Sequence, residues 1–399
     1  MRPDRKRRLR PRMEPLRFPL LVVTSIAAGW IGWCGAVDML PAAMAFPAIW
    51  SLCRDRRQAG AVSCLYFLSA SRALPQGVAT YYATDLWPGL VLWLAASIVF
   101  VGVHMLSWTQ ASGWRRACRY LFATTLMMVV PPFGISGWAS PLTAAGVLFA
   151  GWGLAGLLAG AAGLAVLATG FRPLGAIVLA GAWLWSASTW KDRPVPVGWQ
   201  GVDLQLGSAL GRDLSLPLQR HLIATVGKAQ AGGSSIVVLP EGALGFWTPA
   251  VDHLWRNALA DWNVTVLAGA SLADASGYDN VVVSIGKAES RVVYRQRMPV
   301  PIAMWAPWRG WMGESGGANA HMLGKAEQTV AGQRVTILIC YEQLLIWPIL
   351  QSMWSDPDLV VAIGNGWWTS GTSIAAVQRA TILAWARLFG KPALFSFNT

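Results

Sequence analysis

The chain has 399 residues, 54% of them apolar and only 13% charged, with a mean hydropathy of +0.43. A soluble domain carries about a quarter of its residues as charges, so this composition excludes a single cytosolic globule, a disordered chain and a disulfide-stapled module. Residues 1–190 hold 16 Lys and Arg against 5 Asp and Glu, a net of +11, whereas residues 191–399 hold 16 against 14, a net of +2. The positive excess sits in the more apolar half, which is the pattern of membrane topology, so direct nucleic-acid binding is not expected.

In chain order, a basic segment over residues 1–17 precedes seven apolar runs long enough to read as membrane spans: Phe18–Val37, Met39–Cys53, Ala61–Thr80, Leu86–Leu106, Tyr120–Trp138, Leu142–Thr169 and Leu174–Thr189. Arg72, inside the third run, is expected to face the bundle or to snorkel. The arginines of the intervening loops (Arg54, Arg56 and Arg57, then Arg115, Arg116 and Arg119, then Arg172) fall on one side if there are seven spans. The expectation is a transmembrane bundle over 18–190, multi-pass in a bacterial inner membrane. The N-terminus is then cytoplasmic and the domain over 191–399 periplasmic.

After Lys191 the pattern changes. Short β-branched runs at Val202–Leu206, Ser235–Leu239, Val264–Ala268, Asn280–Ile285, Val292–Gln296, Arg334–Ile339, Asp358–Ile363 and Pro392–Phe397 alternate with helical stretches at Leu216–Ala231, Pro249–Trp262 and Thr372–Leu388. Strands interleaved with helices predict an α/β fold with a buried sheet. Two apolar strands end in chemistry-bearing residues: Val238-Leu239-Pro240 in Glu241, and Val335–Ile339 in Cys340 followed by Tyr341-Glu342. Strand ends are where open α/β folds place ligands. Cys340 is the only cysteine of the α/β half, so it has no disulfide partner there and is either an inert buried thiol or a nucleophile. The four histidines show no ligand spacing and no glycine loop suits a phosphate, so neither metal nor cofactor is expected. Gly313, Gly316 and Gly317 read as a flexible loop. Trp305, Trp308 and Trp311 read either as core or as an interfacial flap.

Leu239-Pro240-Glu241, Leu267–Ala270 with Tyr278-Asp279-Asn280, Tyr294–Pro301, Ile339–Glu342, Asn365–Trp368 and Gly390-Lys391-Pro392 occur in an order that resembles the nitrilase (carbon–nitrogen hydrolase) superfamily. The chain is most similar to its membrane branch, the apolipoprotein N-acyltransferases, and within that to members serving plasmid conjugal transfer. The resemblance implies an αββα sandwich and a Glu–Lys–Cys triad, with Glu241 as general base, Cys340 as nucleophile and Glu342 as a supporting acid. A carboxylate is needed because a thiol is mostly protonated at neutral pH, and the oxyanion of a tetrahedral intermediate needs donors. The family lysine aligns with Gln296; Arg295 or Arg297 is the alternative source of the cation, although strand alternation turns both away from the face of Gln296. Met304 stands where the acyltransferases carry a glutamate.

Two functional readings follow. One is a Cys-dependent acyltransferase or amidase acting on a membrane lipid, or on a lipidated or amide substrate, at the membrane surface. The other is a catalytically reduced relative that binds conjugation-machinery proteins as an assembly component.

Overall fold

The computed structural model describes residues 16–211, 215–313 and 315–399. The expected basic segment over 1–17 therefore lies outside the described residues up to position 15. The first half is helical: α1 (Arg17–Gly32), α2 (Ala45–Ser51), α3 (Arg56–Ala70), α4 (Leu74–Tyr82), α5 (Leu86–Ser107), α6 (Trp114–Leu126), α7 (Ala145–Leu148), α8 (Gly153–Leu167) and α9 (Arg172–Thr189).

The seven-helix membrane bundle expected from the apolar runs is not found. Among the described residues one helix, Leu86–Ser107, is long and apolar enough to cross a membrane. The other runs break up. Met39–Cys53 becomes a 3-10 helix containing Pro41 followed by the short α2, and Ala61–Thr80 divides at residues 71–73 between α3 and α4. Leu142–Thr169 divides into a 3-10 turn, α7 and α8, with positive φ at Gly151 between the last two and at Gly153, where α8 begins. Hydropathy cannot distinguish a lipid-facing segment from one that feeds a protein core, and much of this apolar surface does the latter. Trp33, Phe46, Trp50, Tyr66, Phe67, Phe100, Tyr120 and Leu164 share a buried cluster with Val377 and Ala384 of the C-terminal half. Arg72, expected to face the bundle or snorkel, donates to the carbonyls of Trp30, Trp33 and Ser69 at the helix ends.

The second half holds two sheets. In the first, β1 (Trp199–Gly201), β2 (Ile236–Val238) and β3 (Thr265–Ala273) are parallel, and β4 (Tyr278–Ile285) and β5 (Ser290–Arg295) continue antiparallel. In the second, β6 (Glu327–Val330) runs antiparallel to β7 (Gln333–Ile339), which continues in parallel to β8 (Leu359–Asn365) and β9 (Ala393–Asn398). Alternation along the strands sorts their side chains. Ile236 and Val238 face Val335, Ile337, Leu359 and Val361 between the sheets, while Val237, Val266 and Val281 turn outward beneath α10 (Leu216–Ala231) and α11 (Pro249–Leu259). On the far side Leu338, Val360 and Ala362 pack under α13 (Ile346–Met353) and α14 (Ile374–Phe389), with α12 (Trp308–Trp311) lying in the loop between the sheets.

The helix starts follow local chemistry. Ser215 accepts from the Leu218 N–H and Thr248 from the Val251 N–H, each just before a proline in the first turn. The strand expected at Val202–Leu206 pairs instead over 199–201, and Leu204 alone bridges to Asn398, tying the two sheets at one edge. β6, absent from the sequence reading, is four residues long with three polar side chains, too short to show an alternating pattern.

α14 is covered on both sides, by the second sheet and by the helical half. At Gly146 of α7 an added Cβ would lie 1.8 Å from the Ala384 carbonyl oxygen, so the absence of a side chain is what lets α7 rest on α14. The two halves share a core across this contact.

Candidate active site

Glu241 follows β2, Cys340 follows β7 and Asn365 ends β8, so the ends of strands from both sheets converge at one point. β3 passes close behind: a Cβ at Gly269 would lie 2.5 Å from the Glu241 Cα. Cys340 opens a 3-10 turn (Cys340–Leu344) with φ of +50°, a sparsely populated conformation for a residue with a side chain, which turns the thiol out of the strand direction.

The Glu241 carboxylate is buried. It accepts from Asn280 Nδ2 at 2.6 Å and from the Asn365 backbone N–H at 3.0 Å, and it lies within hydrogen-bonding reach of the Cys340 thiol. Burial raises its pKa, and the donors of Asn280 and Asn365 counter part of that rise. The Cys340 thiol is held well above the usual thiol range, first by burial and then by the charge of Glu241. Gln378 Nε2 approaches the sulfur at 3.9 Å, and the Tyr341 backbone N–H also points to it. Free thiolate is therefore scarce at neutral pH, and the way to form one is proton transfer to Glu241.

Gln296, in the lysine position, is fully buried. It donates through Nε2 to the Ile339 carbonyl at 3.0 Å and accepts from Asn280 Nδ2 at 2.9 Å. A neutral amide thus joins Asn280 to the main chain just before the thiol. As strand alternation required, neither neighbour substitutes for the lysine. Arg295 pairs with Asp279, and Arg297 donates to the Tyr294 hydroxyl, the Pro348 carbonyl, Gln351 and Ser352. Glu342 is fully buried, and burial raises its pKa against the opposing pull of Arg297. It accepts from the Tyr294 hydroxyl at 2.9 Å and the Ile339 N–H at 2.9 Å, and also from the N–H groups of Arg297 and Met298. It clamps the end of β5 to the end of β7 and does not line the cavities.

Two cavities open on either side of Cys340. One, of about 400 Å³, is apolar: Ala70 and Leu74, Leu92 and Ala96 of α5, Trp305, Trp308, Tyr341 and Val377 enclose it. The other, of about 300 Å³, contains Glu241 and Asn280 with Tyr81, Phe246, Tyr278 and Trp367. Among the described residues, neither lining includes a lysine or an arginine. Trp305 and Trp308 of the tryptophan series wall the apolar cavity, while Trp311 is exposed. The glycine loop read as flexible is bonded to β4, Gly316 N–H to Ser276 O and Tyr278 N–H to Gly317 O, each at 3.0 Å. Among the described residues no cluster of three His, Cys, Asp or Glu is placed to hold a metal.

The sequence matches the carbon–nitrogen hydrolase family over residues 68–387. The chain belongs to that family. The match runs across position 190, so the helical segments from residue 68 onward are not a bundle separate from the family's domain. Among curated relatives, the chain is 55% identical over 388 residues to a probable conjugal transfer protein TraB of Sinorhizobium fredii, covering 97% of this chain and 100% of that one. It is 52% identical over 393 residues to the conjugal transfer protein TraB of Agrobacterium fabrum, covering 96% and 93%. Among solved structures, an amidase of Nesterenkonia AN1 from the nitrilase superfamily aligns with a TM-score of 0.37 and 11% identity over 52% of this chain and 79% of its own. A carbon-nitrogen hydrolase of Helicobacter pylori G27 aligns at 0.39 and 13% over 50% and 73%.

Glu241, Cys340, Gln296 and Glu342, singled out from sequence, fall within one hydrogen-bonded neighbourhood. Asn280, Asn365 and Gln378 received no role there, although all three touch the central pair. Asn280 was detectable as a polar residue opening the apolar run Val281–Val283. Gln378 carries a similar signal within the apolar stretch of α14.

Proposed function

We propose that this chain is a nitrilase-like protein of plasmid conjugal transfer that forms a thioester at Cys340 with an acyl or amide substrate drawn from a membrane surface. The observation that carries this reading is the position of Cys340, on the wall of both an apolar cavity and the cavity that holds Glu241. An apolar chain fits the first and the polar end of the reaction the second. Glu241 takes the thiol proton as the sulfur attacks the carbonyl, and it returns that proton to the leaving group. The Tyr341 N–H stands beside the forming oxyanion. Glu342 positions Cys340 through the β5–β7 clamp. Membrane contact falls to α5, whose Val91, Leu94 and Ile98 are exposed. The conjugal-transfer role is carried over from the two relatives.

A second reading is favoured by one observation: among the described residues no cation lines either cavity, and Gln296 gives no positive charge to an oxyanion. In that reading the site binds an acylated partner of the conjugation machinery without turnover. The purified protein incubated with p-nitrophenyl esters of increasing chain length separates the two. Thioester chemistry predicts nitrophenol release that rises with chain length and a mass increment on Cys340. Saturable binding of long-chain esters with neither signal supports the second reading, and no binding of any ester contradicts both.

A further inference from the structure

In the helical half, apart from the cavities at Cys340, Asp55–Arg57 at the start of α3, Trp108–Gln110 after the end of α5 and Arg119 of α6 line an open groove of about 710 Å³. Three arginines brace this region from within: Arg17 donates to the Leu52 carbonyl, Arg116 to the Ser51 carbonyl and Arg172 to the Ser51 hydroxyl. Three others, Arg56, Arg57 and Arg119, line the groove itself, and they make no hydrogen bond or ion pair among the described residues. Among the described residues Asp55 is the only carboxylate in the lining, and one of its oxygens is engaged by the Gln58 N–H that it caps. The described lining, three arginines against one aspartate, therefore carries a net charge of +2. Trp108, in its wall, is buried with an indole N–H that has no partner among the described residues.

Two features say what the groove is adjacent to. α5, the one helix among the described residues long and apolar enough to span a membrane, ends at Ser107, one residue before Trp108. Its 22 residues rise about 33 Å, close to the thickness of a bilayer's hydrocarbon core, so hydrocarbon along α5 brings the groove to headgroup level. Around it Leu106, Trp114 and Phe171 are exposed. Arginine beside exposed aromatic side chains is the composition of the headgroup zone, where guanidinium groups pair with phosphate.

We propose that this groove is a binding site for the phosphate headgroup of an anionic membrane lipid, held by Arg56, Arg57 and Arg119 with Thr109 and Gln110 at its floor. It is independent of the chemistry at Cys340. Free inorganic phosphate shares the recognised chemistry, and the acyl chains lying along α5 are what distinguish the lipid.

The test is a native mass spectrometry titration of the detergent-solubilised full chain with phosphatidylglycerol, phosphatidylcholine and inorganic phosphate. Wild type is expected to retain phosphatidylglycerol in preference to phosphatidylcholine. Arg56→Gln/Arg57→Gln/Arg119→Gln should weaken that affinity by roughly 10²-fold and Arg119→Gln alone by about fivefold. Arg220→Gln/Lys228→Gln/Lys287→Gln, which removes three charges from the α/β half, should leave it unchanged. Equal retention of the two lipids, or an affinity unaffected by both groove variants, overturns the proposal. Inorganic phosphate displacing the lipid at equal concentration makes the groove a free-anion site. Displacement by duplex DNA at physiological salt assigns it to nucleic acid instead.

Discussion

The two cavities that meet at Cys340 are each lined by both halves of the chain but take their character from different ones. The α/β half supplies the polar cavity with Glu241, Asn280 and Asn365 at the ends of strands, where each donor and acceptor is set by sheet geometry. The helical half supplies much of the apolar cavity, through Ala70, Leu74, Leu92 and Ala96. Reactivity and substrate shape thus rest on separate elements that share only the thiol and a few wall residues, and substitutions in one should leave the other readable.

The largest effect is expected at Glu241. With the thiol held far above its ordinary range, neutral-pH reactivity depends on proton transfer to this carboxylate. Glu241→Gln should slow iodoacetamide labelling of Cys340 by about 10²-fold or more at pH 7. The gap should close as rising alkalinity ionises the thiol directly. Faster labelling in the variant would mean that Glu241 acts only as a negative charge that suppresses the thiolate.

Next is the clamp. Arg297→Leu strips a fully buried carboxylate, Glu342, of its cation and should cost about 3 kcal/mol or more of stability near pH 7. The sign follows from linkage. Burial raises the pKa of Glu342 in the folded protein, and losing Arg297 raises it further. The loss therefore grows as pH climbs above the ordinary carboxylate range and shrinks below it, where Glu342 is protonated in both states. Thermal unfolding of the two proteins at acidic and neutral pH reads this directly.

Gln296→Lys restores a cation beside the oxyanion position and should speed acyl transfer by about tenfold. No gain, with the protein folded, would show that the Tyr341 N–H already serves the oxyanion. The smallest effect belongs to the helical half. Ala96→Phe shortens the apolar cavity and should penalise each methylene beyond the new floor by about fourfold in ester turnover. Labelling of Cys340 by iodoacetamide should hold.

The α/β half was legible because buried strands advertise themselves. Largely β-branched runs such as Val335–Ile339 lie between a core above and helices below, and the residues at their ends, Glu241 and Cys340, interrupt an apolar pattern. Ordered motifs added Gln296 and Glu342. The helical half was misread because hydropathy is blind to what covers a segment. Phe46, Phe67 and Phe100 would suit lipid equally well, yet they pack on one another and, through the same core, on α14. The breaks at Pro41, at residues 71–73 and at Gly151 were visible as residues but not as ends of helices. The apolar cavity was out of reach for a related reason. Its walls come from segments far apart in sequence, and none carries a chemical signature.

Intact-mass analysis of the protein purified from its native membranes, in parallel with plasmid-transfer frequency, tests the central claim most directly. The expected result is an acyl increment on Cys340 that hydroxylamine removes and Cys340→Ala lacks, with transfer collapsing in that variant while the protein stays folded and abundant. An unmodified thiol in wild type, together with unchanged transfer in Cys340→Ala, would contradict it.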